Sequence, residues 1–183
     1  TVELSLNHEL TQFTKGKTEQ TLKSICRRYL INSSETEEHL IEIIITNNSL
    51  AETQQWKIRT KKNFLGDENI NVDILSSKKD SDYSNIDTYI SDIVTAKNKK
   101  DMPNILILCF HKKRVISDLF RLFDACCGNS YMVDDLKIKF NLNFDEPDTN
   151  LGILSKFLQK YETYKALIKG IQFITATPYE DFW

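Results

Sequence analysis

The sequence predicts an α/β fold, a three-layer domain with a mainly parallel sheet flanked by helices. Apolar runs of strand length alternate with amphipathic helical segments about six times along the 183 residues, which is typical of a parallel sheet with helical connections. The runs at 40–46 and 104–110 are almost continuously apolar, as strands buried on both faces require. With 40% hydrophobic residues, five Gly and three Pro, the chain is expected to form one domain over residues 1–183.

Each element is predicted from its own periodicity. Strands are expected where apolar residues alternate or run together, at 2–6, 40–46, 70–75, 104–110, 136–144 and 170–175. Helices are expected where apolar residues recur every three or four positions, at 19–30, 50–61, 86–97, 115–127 and 151–164. A turn carrying Gly16 is expected before the first helix, and a loop at 76–85. Right-handed crossovers then place the loops that follow the strands along one edge, where ligands usually bind.

Composition narrows the class of protein. The net charge of −2 gives no global attraction to a polyanion, so nucleic-acid binding would have to use local basic clusters. The four cysteines form no CxxC pair or Cys/His ladder, which predicts buried, reduced thiols in an intracellular protein. The longest apolar runs are strand-sized, so no membrane partner is expected. The chain starts at Thr1, and Asn, Ile and Lys are abundant, which predicts part of a longer protein from an AT-rich genome, as in many viruses.

The segment Thr11-Gln-Phe-Thr-Lys-Gly-Lys-Thr18 has the pattern of a phosphate-binding loop, except that Thr11 replaces the usual first Gly or Ala. Gly16 would let backbone N–H groups approach the phosphates, and Lys17 would bridge the β- and γ-phosphates. The Thr18 hydroxyl would hold Mg²⁺, and the following helix would add its positive end. The alternative is a chance Gly-Lys-Thr in a polar turn.

Two carboxylates, Asp145 and Glu146, follow the alternating strand at 136–144. A bound Mg²⁺ explains them: Asp145 would hold the metal through water, and Glu146 would orient or deprotonate the attacking water. The alternative is that the two acids begin a surface loop before Pro147.

A third motif, Thr175-Ala176-Thr177, ends the last predicted strand. Its hydroxyls can hydrogen-bond to the acid pair and to a neighbouring domain, and so report the state of the nucleotide. The alternative is a plain exit from the strand into a turn before Pro178.

The order TKGKT, FDEPD, ITATP resembles the first RecA-like domain of superfamily 2 helicases, the DEAD/DEAH-like group in its DExD variant, over nearly the whole chain. By this resemblance IIITNNSLA at 43–51 is similar to motif Ia, which implies that Thr46, Asn47 and Asn48 face nucleic-acid phosphates. The resemblance implies ATP and Mg²⁺ as cofactors and ATP hydrolysis coupled to movement on DNA or RNA. It also implies a second RecA-like domain beyond Trp183, without which this chain is expected to hydrolyse ATP slowly.

A basic segment, His111-Lys112-Lys113-Arg114, follows the apolar run ending at Phe110. As a loop at the same edge, Lys112, Lys113 and Arg114 could contact nucleic-acid phosphates. The alternative is a solvated helix start.

Two other functions stay open at this point. Packaging motors and restriction-type translocases share the phosphate loop and the acid pair. A RecA-like fold can also serve as a docking or structural module without catalysis, which the substitution at Thr11 would permit.

Overall fold

The computed structural model describes residues 6–10, 17–35, 37–46, 50–63, 70–76, 81–109, 112–127, 136–145, 152 and 155–175. These residues confirm the predicted class, because they form helices around one six-stranded sheet in which neighbouring strands are parallel. The strands are β1 (Leu6–Leu10), β2 (Glu38–Ile45), β3 (Val72–Ser76), β4 (Ile105–Cys109), β5 (Lys137–Asp145) and β6 (Ile168–Thr175). The helices are α1 (Lys17–Ser33), α2 (Leu50–Asn63), α3 (Ile86–Thr95), α4 (Lys112–Cys126), α5 (residues 155–159) and α6 (Tyr161–Tyr164).

The strand order β1-β6-β5-β2-β4-β3 determines which face each helix covers. The chain moves toward β3 in its first two crossovers and back toward β1 in the later ones. Right-handed crossovers therefore put α1 and α2 on one face and α3 to α6 on the other. The two hydrophobic cores agree: Leu22 and Trp56 belong to one, and Tyr89, Phe123 and Tyr164 belong to the other. This three-layer arrangement is consistent with a RecA-like fold.

Alternation along the strands divides the side chains between these two cores. On β2, Ile43 packs with the α3–α6 core and Ile44 packs with the α1–α2 core. Strand β5 is different, because the face opposite Phe144 carries Asn141, Asn143 and Asp145, and all three are buried. A buried polar stripe therefore crosses the sheet on the α1–α2 side.

The first predicted strand, at 2–6, overlaps the described β1 at Leu6. Strand β1 covers Leu6–Leu10, and residues 2–5 of the predicted strand lie outside the described residues. The segment LNHEL lacks apolar alternation. Its strand conformation comes from pairing with β6, in a register that runs from Leu6 opposite Ile171 to Leu10 opposite Thr175.

The segment predicted as one helix at 151–164 is helical in its described part except at Lys160, where it divides into α5 and α6. The break is at Lys160, whose N–H donates to Phe157 O at 3.0 Å, while Thr163 N–H donates to Lys160 O at 3.0 Å. These bonds to the third preceding residue are tighter than those of an α-helix. Phe157 and Tyr164 are seven positions apart and both buried, as in an unbroken helix, so periodicity does not mark the break.

The remaining elements lie where they were predicted, with ends that differ by a few residues. Cys109 and Cys126 are buried, as predicted, but Cys26 is only half-buried and Cys127 is exposed. The Cys127 thiol lies at the helix end, where Sγ donates to Thr163 O at 3.6 Å. Within the described ranges, no helix combines the length and the apolar character needed to cross a membrane.

Candidate functional site

The three strands that precede or carry the three sequence motifs are neighbours and end at one edge of the sheet. In the pairing register Leu10 lies opposite Thr175, and Ile174 lies opposite Asp145, so β1, β6 and β5 end at the same level. Neighbouring strands lie about 4.8 Å apart, which puts the ends of β1 and β5 about 10 Å apart. Helix α1 begins at Lys17, after the segment that follows β1, and packs against β1, β2 and β6.

Part of the predicted site lies outside the described residues. This applies to Gly16, Asn47, Asn48, Glu146, Ala176 and Thr177. For Lys17, Thr18, Lys112, Lys113 and Thr175 the structure describes the backbone in a helix or strand but not the side chain. The fully described members of the predicted site are therefore Asp145, Thr46 and Arg114.

Asp145 is the last residue of β5 and is 7% exposed. Its Oδ2 accepts a hydrogen bond from the indole Nε1 of Trp56 at 3.2 Å. Trp56 lies on α2 and is 4% exposed. The sequence does not signal this partner, because Trp56 is 89 residues away along the chain and fits an ordinary core position. The carboxylate at the sheet edge is therefore held by a helix of the α1–α2 face.

The polar stripe next to Asp145 centres on Glu42 of β2, which is 2% exposed. Arg28 of α1 donates from Nε to Glu42 Oε1 at 2.6 Å and from a terminal nitrogen to Oε2 at 3.3 Å. Asn141 and Asn143 each donate to Glu42 Oε2 at 2.9 Å. Charge-assisted bonds of this kind offset the cost of burying the carboxylate.

Arg28 also contacts the other strands of the site. Its guanidinium donates to Asn143 Oδ1 at 3.3 Å on β5 and to Gln172 Oε1 at 3.1 Å on β6. The middle of α1 is therefore joined to β2, β5 and β6 by one polar network. Because α1 begins at Lys17, this network places the start of the helix relative to the strand that ends in Asp145. No sequence motif signals it, since the partners of Arg28 are 14 to 144 residues away from it along the chain.

Thr46, predicted to face a nucleic-acid phosphate, follows β2 directly. Its side chain is 2% exposed, and its backbone N–H donates to Leu108 O of β4 at 3.1 Å. Neither the Thr46 side chain nor its N–H is presented to solvent. Any contact with a nucleic-acid backbone at this point would therefore have to come from the residues after Thr46.

Lys112 to Arg114 form the first turn of α4, so the prediction of a loop was wrong for them and the alternative of a helix start is confirmed. Three basic residues there oppose the helix macrodipole, so the sequence favoured a later start. Arg114 is partly compensated: it donates to Ser84 O at 2.8 Å, and its Nε lies 3.6 Å from Asp118 Oδ2. The turn still lies at the same edge, beside the end of β2, because β4 and β2 are neighbours.

A cavity of about 430 Å³ lies elsewhere, beside the edge strand β3. Its walls include Asn71, Asp73, Tyr83, Asp92 and Asp101. Burial, followed by the nearby charge of Asp82, raises the pKa of Asp73 to about 6. This cavity is four strands away from β6 and contains none of the motif residues, so it is separate from the motif edge.

No protein-family model matches the chain, and no curated protein matches it at a significant level. Among the described side chains, no group of three or more His, Cys, Asp or Glu residues could hold a metal ion by itself. A nucleotide-bound Mg²⁺ needs only one or two carboxylates from the protein, because phosphates and waters complete its octahedron.

Proposed function

We propose that this chain is the first motor domain of an ATP-dependent nucleic-acid helicase or translocase, and that it binds ATP with Mg²⁺. The observation that carries the proposal is the common level at which β1, β6 and β5 end. A phosphate loop, a metal-binding carboxylate and a coupling motif must lie within one nucleotide's length of each other. Chance matches in the sequence would not be expected on three adjacent strands.

The nucleotide half of the site is expected at β1, β6 and β5. Helix α1 has 17 residues, and its positive end at Lys17 suits an anionic phosphate. Lys17 is proposed to bind the β- and γ-phosphates. Asp145 offers the hard oxygen donor that Mg²⁺ prefers, and Thr18 would complete the protein's share of the ligands. The bound Mg²⁺ would neutralise charge on the phosphates.

Glu146, next to Asp145, is proposed as the general base. Its carboxylate would orient the attacking water and accept its proton, while Asp145 stays ionised beside the metal. Thr175, Ala176 and Thr177 continue from β6, the strand between β1 and β5, which is where a coupling motif would sense both the loop and the acid pair.

The nucleic-acid half is expected at the neighbouring strands β2 and β4. Ile45 pairs with Leu108, so the segments that leave these strands start side by side. One contains Asn47 and Asn48, and the other leads to Lys112 and Lys113 at the start of α4. Lysine ammonium groups at this edge would bind phosphates of a DNA or RNA backbone without reading the bases.

Calorimetric titration of the chain with ATP and Mg²⁺ tests the proposal. Lys17→Ala should weaken ATP binding at least about tenfold, since it removes a charge-assisted contact to phosphate. Lys23→Ala is the matched control, because Lys23 is exposed on the same helix, and it should bind like the wild type. Equal affinities of the two variants would overturn the assignment of Lys17. No ATP affinity in the wild-type chain would favour a non-catalytic docking module.

A further inference from the structure

The bond between Trp56 and Asp145 joins two buried groups from different layers of the fold. Asp145 ends β5, whereas Trp56 projects from α2 and reaches β5 from the helical layer that covers β2. The indole Nε1 donates to Asp145 Oδ2 at 3.2 Å, and the two residues are 4% and 7% exposed. A bond in such a site is shielded from competing water.

Trp56 is itself held in place by its surroundings. Its ring packs in the α1–α2 core with Ile44 and Ile107 of β2 and β4. One turn further along α2, Thr60 Oγ1 donates to the Trp56 carbonyl at 2.6 Å. Trp56 is thus fixed both by its core contacts and by its helix, so the position of its N–H is determined before any ligand binds.

We propose that Trp56 is a positioning residue that orients the Asp145 carboxylate toward the divalent cation of a bound nucleotide. This inference rests on the proposed function. An ionised carboxylate has about four lone-pair sites, and the indole N–H takes one of them on Oδ2. That bond restricts rotation of the carboxylate, so the carboxylate would keep one orientation toward a nucleotide-bound cation. Groups that hydrogen-bond to metal-binding carboxylates typically contribute 10- to 100-fold to metal affinity.

The variant Trp56→Phe removes the N–H and keeps an aromatic ring in the core. ADP affinity is measured by calorimetry for wild type and variant, each once with Mg²⁺ and once with EDTA. The dissociation constant with EDTA divided by the dissociation constant with Mg²⁺ gives the contribution of the metal. We expect Trp56→Phe to lower this ratio about tenfold, with the metal-free dissociation constant unchanged. A purely structural role would weaken binding equally under both conditions.

Two further variants bracket this result. Asp145→Asn should remove most of the Mg²⁺ contribution and sets the largest effect that Trp56→Phe can reach. Thr60→Val is the matched control, because it deletes a buried hydrogen bond from the same helix and leaves the indole N–H in place. Its ratio should equal that of the wild type.

Fluorescence supplies a measurement that does not depend on the folding of Trp56→Phe. The chain has two tryptophans, so Trp183→Phe leaves Trp56 as the single indole fluorophore. In this variant, adding ADP with Mg²⁺ should shift the emission of Trp56. The further substitution Asp145→Asn should abolish that shift.

The outcomes separate this inference from the proposed function. Three results would each overturn the inference and leave nucleotide binding intact. The first two are an unchanged ratio of dissociation constants in Trp56→Phe and equal weakening of ADP binding with Mg²⁺ and with EDTA. The third is a Trp56 emission that does not change when ADP and Mg²⁺ are added. Wild-type protein without Mg²⁺-dependent nucleotide affinity would overturn both.

Discussion

Arg28 on α1 and Glu42 on β2 form an ion pair under the helix that begins at Lys17, with 2.6 Å between Nε and Oε1. The Glu42 side chain is 3% exposed and that of Arg28 is 23% exposed. Together with Asn143 and Gln172, this pair connects α1 to the strands that end at the proposed nucleotide site. The pair is therefore expected to contribute to the position of α1 as well as to stability.

Breaking the pair should destabilise the fold. Arg28→Met leaves Glu42 charged and buried, and we expect a loss of about 3 kcal/mol in the free energy of unfolding. The double variant Arg28→Met/Glu42→Gln leaves no charge unpaired. Its loss in the free energy of unfolding should therefore be at least about 1 kcal/mol smaller than the sum of the losses of the two single variants. Urea unfolding measures all three. Arg27→Met, at the exposed neighbouring position, should stay within about 0.5 kcal/mol of wild type. Additive losses would show that the two side chains do not interact.

Asp73 should make the free energy of unfolding fall as pH rises. Burial, followed by the Asp82 charge, raises its pKa to about 6 in the fold, whereas the unfolded value is about 3.9. The folded state then binds more protons between these values, so the free energy of unfolding falls as pH rises from about 4 to 6. Asp73→Asn should remove this fall in urea titrations at a series of pH values. A profile identical to wild type would contradict a raised pKa.

His39 should have the opposite effect. Burial lowers its pKa to about 4, although its bond to the Pro103 carbonyl at 2.6 Å acts the other way. The unfolded value is about 6.5, so the unfolded state binds the extra proton and stability rises with pH from about 4 to 6.5. In His39→Gln the rise that offsets the Asp73 contribution is lost, so the free energy of unfolding should fall as pH rises from about 4 to 6. If His39→Gln leaves the pH profile unchanged, His39 does not titrate as inferred.

Glu146→Gln should separate ATP binding from ATP hydrolysis. Loss of a general base typically lowers turnover by about 10²- to 10⁴-fold, while ATP binding should be retained because the phosphate contacts remain. Steady-state ATPase assays and calorimetry measure the two properties. Glu37→Gln, an exposed acid before β2, is the control and should leave both unchanged. Normal turnover in Glu146→Gln would remove Glu146 from catalysis.

The basic start of α4 should bind nucleic acid at the expense of stability. Lys112→Ala with Lys113→Ala should weaken binding to a single-stranded oligonucleotide and reduce the slope of log K against log salt by about 0.7 per lost contact. The same change should raise the melting temperature, because it removes positive charge from a helix N-terminus. Arg114 is kept, since it contacts Ser84 and Asp118.

The control for this prediction carries the same charge change at another place. Lys61 and Lys62 are exposed in the last turn of α2. Helix α2 follows β2, so this turn is at the end of the helix that is far from β2. Their double alanine variant should keep the wild-type salt slope. Equal slopes for both double variants would favour the solvated helix start over a binding role.

Much of the fold was predictable because it depends on local patterns. The continuous apolar runs of β2 and β4 and the amphipathic α3 and α4 each show their type within one window. The part of β1 after Leu6 was not predicted, since LNHEL has no strand pattern of its own and becomes a strand by pairing with β6. The break at Lys160 was missed because both halves of the helix keep the same apolar period.

The sequence by itself determined the α/β class, the strands that cross the core, and the motifs that end them. Parallel strands joined by right-handed crossovers must send those ends to one edge. Only the tertiary structure decided that β6 lies between β1 and β5, that Arg28 pairs with Glu42, and that Trp56 holds Asp145. These are contacts between residues far apart in the chain, and their partners are chosen by strand order and burial, which no local pattern encodes.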